Sequence, residues 1–228
     1  MSRVYLIRHG QAGLRQNYDT LSELGRTQAE ALGAWFAREG IALDRVVAGS
    51  LERQRETARI AAVADPLIDA RFAEFDLDQV YRSLAPRLCE SDALFREEYF
   101  EMQRAMEAVD APVHRQWNRC DVTVFQAWQA GAAVEGESWA EFKARATSTM
   151  DLIRGVASGE HVAIFTSATP IGLLLASLLG SGDEQAMRMA GACYNSSVTT
   201  LRVRGGDVSL MGFNSVAHLD DAALRTFR

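Results

Sequence analysis

Three times along this chain a short run of β-branched and aliphatic residues gives way to a stretch with helical spacing. That alternation constrains the fold more than any other feature. Val4 to Ile7, in SRVYLIR, is an apolar run of the kind that lies in the middle of a sheet. After it, TLSE at Thr20 to Glu23 reads as a capping box, and Leu21, Leu24, Leu32, Trp35 and Phe36 recur at helical spacing up to about Arg38. Arg45 to Ala48 predicts a second strand, Gly49 and Ser50 a turn, and Leu51 to Val63 an alanine-rich helix. HVAIFTS, from His161, predicts a third strand. Thr169 and Pro170 then read as the N-cap and first residue of a helix running through LLLASLLG and closed by Gly180. Strands alternating with helices imply an α/β fold, a mostly parallel central sheet sandwiched between two helical layers.

The remaining segments fit around that frame. SWAE at Ser138 to Glu141 reads as a second capping box. Trp139, Phe142, Ala146, Met150 and Ile153 then form a helical stripe expected to cover one face of the sheet. SVTTLRVRGGDVSLMGF alternates about Gly205 and Gly206 as a hairpin does. The region from about Val80 to Gln129 is rich in Arg, Glu, Met and aromatic residues without a strand signal, and reads as helical excursions laid over the sheet. A length of 228 residues suits one well-buried domain. The expected organisation is therefore a single domain over 1–228, with a helical insertion at about 80–135 over the rim of the site.

Composition removes several function classes. No apolar run approaches the roughly 20 residues of a membrane-spanning helix, and no basic segment followed by an apolar stretch and a cleavage site opens the chain, so a cytoplasmic location is expected. Cys89, Cys120 and Cys193 are too scattered for a disulfide framework or a metal site and read as inert thiols. A formal net charge of −6 argues against a nucleic-acid surface, so an anionic ligand would need a local cationic pocket. His114 and His161 have no motif around them and read as surface residues.

In doubly wound folds ligands collect beyond the carboxyl ends of the strands. His9 follows the first strand, Arg53 lies just past the second, and Ser167 to Thr169 follow a later one, so three separated segments converge on one rim. A histidine at a strand end is more often a hydrogen-bonded structural group than a nucleophile, and it is the neighbours that change this. Arg53 sits in the first turn of its helix, where orphan N–H groups and the helix dipole already favour an anion. A guanidinium there grips two phosphate oxygens at once.

With these residues in place the chain resembles the histidine phosphatases, which include the cofactor-dependent phosphoglycerate mutases. LIRHGQA is similar to that family's opening motif, LSELGRTQAEALG to the segment after it, and GSLERQRETARIAA to its second arginine motif, ending in Thr57 and Ala58. FAEFD places Glu74 where the family keeps a carboxylic proton donor, HVAIFTSATPIGLLLASLLG matches its last strand and helix, and FNSVAHL resembles a closing segment. The resemblance implies a phosphoglycerate mutase-like fold. It also implies phosphoryl transfer from a small phosphomonoester through a phosphohistidine on His9, which water then cleaves. Arg8 and Arg53 would hold the equatorial oxygens, and Glu74, its pKa raised by an apolar wall of Phe72 and Phe75, would protonate the leaving group, with Asp76 as the substitute. Gln11 stands where many members carry glutamate, and its amide either donates to a phosphoryl oxygen or faces water.

One departure matters more than the rest. Ser167 occupies the position of the family's second histidine, followed by Ala168 and Thr169 where glycines are usual. Three accounts stay open. Ser167 and the backbone N–H groups of Ala168 and Thr169 fill the gap and the site remains active; His218 swings in; or the chain binds phosphorylated ligands without turning them over. Gly49, Ser50, Gln54 and Glu56 also differ from the usual serine, proline, alanine and glutamine, and Glu56 either pairs with Arg53 or points to solvent. No Walker loop, zinc spacing or nucleophile elbow appears, and no metal or cofactor is expected. The expected ligand is a small phosphorylated molecule or inorganic phosphate, with no nucleic acid or membrane partner. Phosphoglycerate mutase activity is the less favoured alternative, because the insertion shows no matching segment.

Overall fold

The computed structural model describes residues 1–14, 18–108 and 117–227. His114 lies outside them. The described residues divide into two compact units, one gathering residues 1–13, 18–74 and 145–227, the other residues 14, 75–108 and 117–144.

The first unit holds a six-stranded sheet. Its strands are β1 (Ser2–Arg8), β2 (Arg45–Ala48), β3 (Leu67–Ile68), β4 (His161–Thr166), β5 (Val198–Arg204) and β6 (Asp207–Ser215), in the spatial order β3-β2-β4-β1-β5-β6. The pairs β3/β2, β2/β4 and β4/β1 are parallel, and β1/β5 and β5/β6 antiparallel. This is the mostly parallel sheet the alternation implies. The hairpin β5–β6 turns through Gly205 and Gly206 at φ of 57° and 83°, a left-handed pair that favours glycine.

Side-chain alternation divides the core in two. Tyr5 and Ile7 of β1, with Ala48, Ala163 and Phe165, face α1 (Glu23–Arg38) and α2 (Glu52–Ala62) through Leu32, Phe36, Ala58 and Ala61. On the opposite face Val4, Leu6, Val162 and Ile164 pack against α7 (Met150–Arg154) and α8 (Ala168–Leu179) through Met150, Ile153, Ile171, Leu174 and Leu175. Each large apolar side chain so buried contributes about 1.5–3 kcal/mol. The helix α9 (Asp183–Ala192) follows α8, closely enough that a Cβ on Gly172 would lie 2.2 Å from the Ala186 carbonyl oxygen.

The second unit is helical: α3 (Leu77–Ser91), α4 (Ala93–Ala105), α5 (Arg119–Gln129) and the start of α6 (Trp139–Ser148). Its core includes an aromatic cluster of Phe75, Phe125, Trp128, Trp139 and Phe142, with ring centroids 4.9–5.9 Å apart. Among the described residues no helix is long and apolar enough to cross a membrane.

Several local expectations need correction. The first helix is capped not by Thr20 but by Ser22, whose hydroxyl accepts from the Gly25 N–H. The Thr20 carbonyl is drawn back to the Gly13 N–H, beside a bridge between Ala12 and Leu21. The last long helix starts at Ala168 with Ser167 as N-cap, two residues earlier than read from Thr169 and Pro170. The stripe from Trp139 to Ile153 does not run along the sheet as one element. It is split between α6 and α7, with Trp139 and Phe142 in the aromatic cluster and Met150 and Ile153 on the sheet. The capping box at Ser138 and Glu141 is present, with Ser138 N–H donating to Glu141 and Glu141 N–H to Ser138. Cys120 and Cys193 are buried, which pushes both thiols up to about 11, while Cys89 is half-buried. His161 is half-buried at the start of β4.

Candidate active site

Strand register assembles the site. Arg8 pairs with Thr166 and Ala48 with Phe165, so β1, β4 and β2 end side by side and deliver His9, Ser167 and Gly49 to one edge. The His9 N–H then donates to the Thr166 carbonyl at 2.9 Å and the Gly49 N–H to the Phe165 carbonyl at 3.0 Å.

His9 is buried, and its two ring nitrogens have different partners. Nδ1 lies 2.7 Å from the Gly10 carbonyl, and Arg53 Nε lies 3.2 Å from Nε2. A carbonyl only accepts and a guanidinium only donates, so Nδ1 carries the proton and Nε2 presents its lone pair. Burial and the charges of Arg53 and Arg8 hold the imidazole pKa well below its ordinary value, which keeps the ring neutral. The turn beyond it is fixed by Thr57: the Gly10 N–H donates to Thr57 Oγ1 at 3.0 Å, and that hydroxyl donates to the Arg53 carbonyl at 2.6 Å.

Arg53, buried in the first turn of α2, also donates from Nη1 to Asp19 at 3.1 Å and lies 4.7 Å over the ring of Tyr18. The anion at the start of α2 is the Asp19 carboxylate, which accepts from the Glu52 and Arg53 N–H groups at 3.1 and 3.4 Å. Sequence reasoning passed over Tyr18 and Asp19. The one available signal was an aromatic and an acid side by side just ahead of LSELG. Glu56, left open above, pairs with Arg26 at 2.5 Å rather than with Arg53.

Arg8 is buried and donates to the carbonyls of Cys193 (from Nη1) and Phe227 (from Nη2). Its Nε is buried without a partner among the described residues. Desolvation lowers its pKa, opposed by Tyr18, Cys193 and Glu74. Gln11 accepts from the Ser22 hydroxyl at 2.7 Å, which anchors its amide at the head of α1.

Glu74 follows the short 3-10 turn Ala70–Phe72 and accepts from the Thr169 N–H at 3.2 Å, which ties it to the start of α8. Ala168 opens that helix, so its N–H is among the first four, which have no carbonyl a turn behind them. Ser167 is buried there. Its oxygen accepts from Gln54 Nε2 at 2.8 Å.

Two candidates are engaged elsewhere. Asp76 belongs to the second unit, where it caps α3 by accepting from the Gln79 N–H at 3.0 Å. His218 is buried, with Nε2 2.8 Å from Ser196 Oγ and its ring 6.4 Å from that of Trp35. Burial and Arg38 push it down to about 4. Among the described residues no cluster of three or more His, Cys, Asp or Glu is placed to hold a metal.

Fold and site together define an α/β protein of the phosphoglycerate mutase-like kind, with a neutral histidine and two arginines at the carboxyl edge of its sheet. Residues 4–107 and 102–216 match the profile of the histidine phosphatase superfamily (branch 1), and the chain belongs to that superfamily. Among solved structures it is similar to Bacillus stearothermophilus YhfR, with a TM-score of 0.66 and 21% identity over 96% of this chain and 100% of that one. A putative alpha-ribazole-5'-P phosphatase from Escherichia coli gives 0.63 and 19% over 94% and 98%. The phosphoserine phosphatase of Entamoeba histolytica, in complex with 3-phosphoglyceric acid, gives 0.63 and 18% over 96% and 100%. These three share the fold. A 57-residue stretch is 42% identical to the mitochondrial serine/threonine-protein phosphatase Pgam5 of Caenorhabditis briggsae, and covers 25% of this chain and 20% of that protein. The match therefore spans a fifth of the relative's length.

Proposed function

We propose that the chain hydrolyses a small phosphomonoester through a phosphohistidine on His9. The observation that carries this reading is the state of the imidazole: neutral, its tautomer fixed by the Gly10 carbonyl, its Nε2 lone pair facing a guanidinium. In the first step that lone pair forms the N–P bond as the ester P–O bond breaks, and the Glu74 carboxyl gives its proton to the departing alkoxide. In the second, water attacks phosphorus, its proton passes to the Glu74 carboxylate, and the N–P pair returns to Nε2. Arg8 and Arg53 follow the charge on the phosphoryl oxygens, which is where such reactions gain most of their rate. The resident carbonyl and carboxylate partners of these two arginines stand in for phosphate oxygens and yield to them.

A phosphate carried on a histidine nitrogen is lost in acid and kept in alkali, so the intermediate is identifiable. Incubated with a labelled small phosphodonor and quenched in alkali, the native protein retains label and His9→Ala does not. With p-nitrophenyl phosphate, kcat/KM keeps its plateau to below pH 6.5, because the depressed imidazole stays neutral there. Phosphate binding without label or turnover would establish a binding protein instead, the reading that Ser167 in place of an imidazole donor favours.

A further inference from the structure

Gln54, beside Arg53 in α2, is fully buried, and every polar atom of its side chain is used. Oε1 accepts from the Leu51 N–H at 3.3 Å, while Nε2 donates to the Phe72 carbonyl at 3.2 Å and to Ser167 Oγ at 2.8 Å. An amide has two N–H donors, so both are spent. Gly49 makes room for it: a Cβ there would lie 2.1 Å from Oε1 and 2.9 Å from the Phe72 carbonyl carbon. One side chain therefore joins the loop after β2, the segment leading to Glu74, and the turn after β4.

Ser167 is the end of that link that matters for chemistry. It has the extended backbone of an N-cap, φ −125° and ψ 174°, yet its hydroxyl does not cap α8. Its oxygen accepts a hydrogen bond from Gln54 Nε2, which leaves its own O–H to donate. On either side, the Thr166 carbonyl holds the His9 N–H and the Thr169 N–H holds Glu74. We infer that Gln54 is a positioning residue, fixing the Ser167 hydroxyl as a donor to the phosphoryl group at the place where related chains carry an imidazole. The inference rests on the phosphatase reading of His9. It also changes what Ser167→His does: in the native chain the imidazole enters space that Gln54 fills, so the substitution slows the enzyme, and it becomes productive only together with Gln54→Ala.

The test is a double-mutant cycle on the full chain with p-nitrophenyl phosphate, using Ser167→Ala, Gln54→Ala and the pair, with Gln54→Met as a variant that keeps the volume and loses the donors. Each single change lowers kcat about a hundredfold or more, as loss of a preorganised donor does, with KM little altered. The pair is no worse than Ser167→Ala alone, because Gln54 acts through Ser167. Ser167→His with Gln54→Ala exceeds Ser167→His alone. Losses that multiply, or a Gln54→Met protein with native kcat, overturn the inference while leaving His9 labelling untouched. Absence of labelling in the native protein overturns the phosphatase reading instead. The same cycle is then read on the Kd for inorganic phosphate, where coupling between positions 54 and 167 supports the link and additivity rejects it.

Discussion

His9 is made a nucleophile by groups that are individually ordinary: a carbonyl on one nitrogen, a guanidinium on the other, and enough burial to keep the ring uncharged. None of them holds the ring in place alone, because the turn that carries it is secured one residue further on. There the Gly10 N–H reaches Thr57 Oγ1, and the same oxygen donates its own proton to the Arg53 carbonyl. Thr57 is fully buried, so no water replaces it. Thr57→Val keeps the shape, leaves the buried Gly10 N–H unsatisfied and removes the second of the two bonds that the Arg53 carbonyl accepts within α2, a loss of about 1–3 kcal/mol. Urea unfolding should report that loss, and kcat should fall with it, since the substitution loosens the His9 turn and the Arg53 backbone together. A Thr57→Ser protein, which retains the hydroxyl, should behave almost as the native one. If Thr57→Val and Thr57→Ser unfold alike, the hydroxyl is not what holds the turn.

Between elements, two glycines in the site let backbone meet backbone. A Cβ on Gly10 would lie 2.5 Å from the Gly25 carbonyl oxygen, and one on Gly25 would lie 2.2 Å from the Gln11 carbonyl oxygen. The loop after β1 thus rests on the first turn of α1 backbone to backbone. Gly25→Ala has no flexible atom to push aside, and overpacking of this kind costs about 1–3 kcal/mol. The displaced loop carries His9, so turnover should drop more steeply than the melting temperature suggests. Native turnover in Gly25→Ala would show that the loop tolerates the shift. Such contacts also explain what was legible in the chain and what was not. β1, β2 and β4 were readable because each is a short apolar run, and the hairpin because Gly205 and Gly206 mark its turn. Helix starts were misread where long-range bonds outbid local ones: Thr20 is claimed by Gly13, and the Ser167 hydroxyl by Gln54. His9, Arg8 and Arg53 were readable from their places at strand and helix ends. The partners Asp19 of Arg53, Thr57 of Gly10 and Gln54 of Ser167 were not, because a hydrogen bond across tens of residues leaves no periodicity in a sequence.

At the scale of the whole molecule, buried neutral histidines tie stability to pH. His9 and His218 both lie in the sheet-bearing unit, both are buried, and both have folded pKa values below the ordinary 6.5, that of His218 down to about 4. Once unfolded, each takes up a proton as pH falls through about 6.5, while the folded form does not. Stability is therefore undiminished above pH 6.5 and declines as pH falls through the interval between the unfolded and folded values. For His218 that interval ends near pH 4, and at about 1.4 kcal/mol per pH unit the loss reaches roughly 3 kcal/mol there. His218 has no part in the proposed chemistry, so it separates acid lability from activity. His218→Gln retains a polar partner for Ser196 Oγ and removes the titration. Urea unfolding at pH 7, 6, 5 and 4 should show the native protein losing stability faster than the variant, the difference growing to about 3 kcal/mol at the lowest pH, with kcat at pH 7 unchanged. Carboxylates contribute the same background to both proteins and cancel from the comparison. Parallel curves would mean that His218 is protonated in the fold, and that the contact with Ser196 runs from the imidazolium to the hydroxyl.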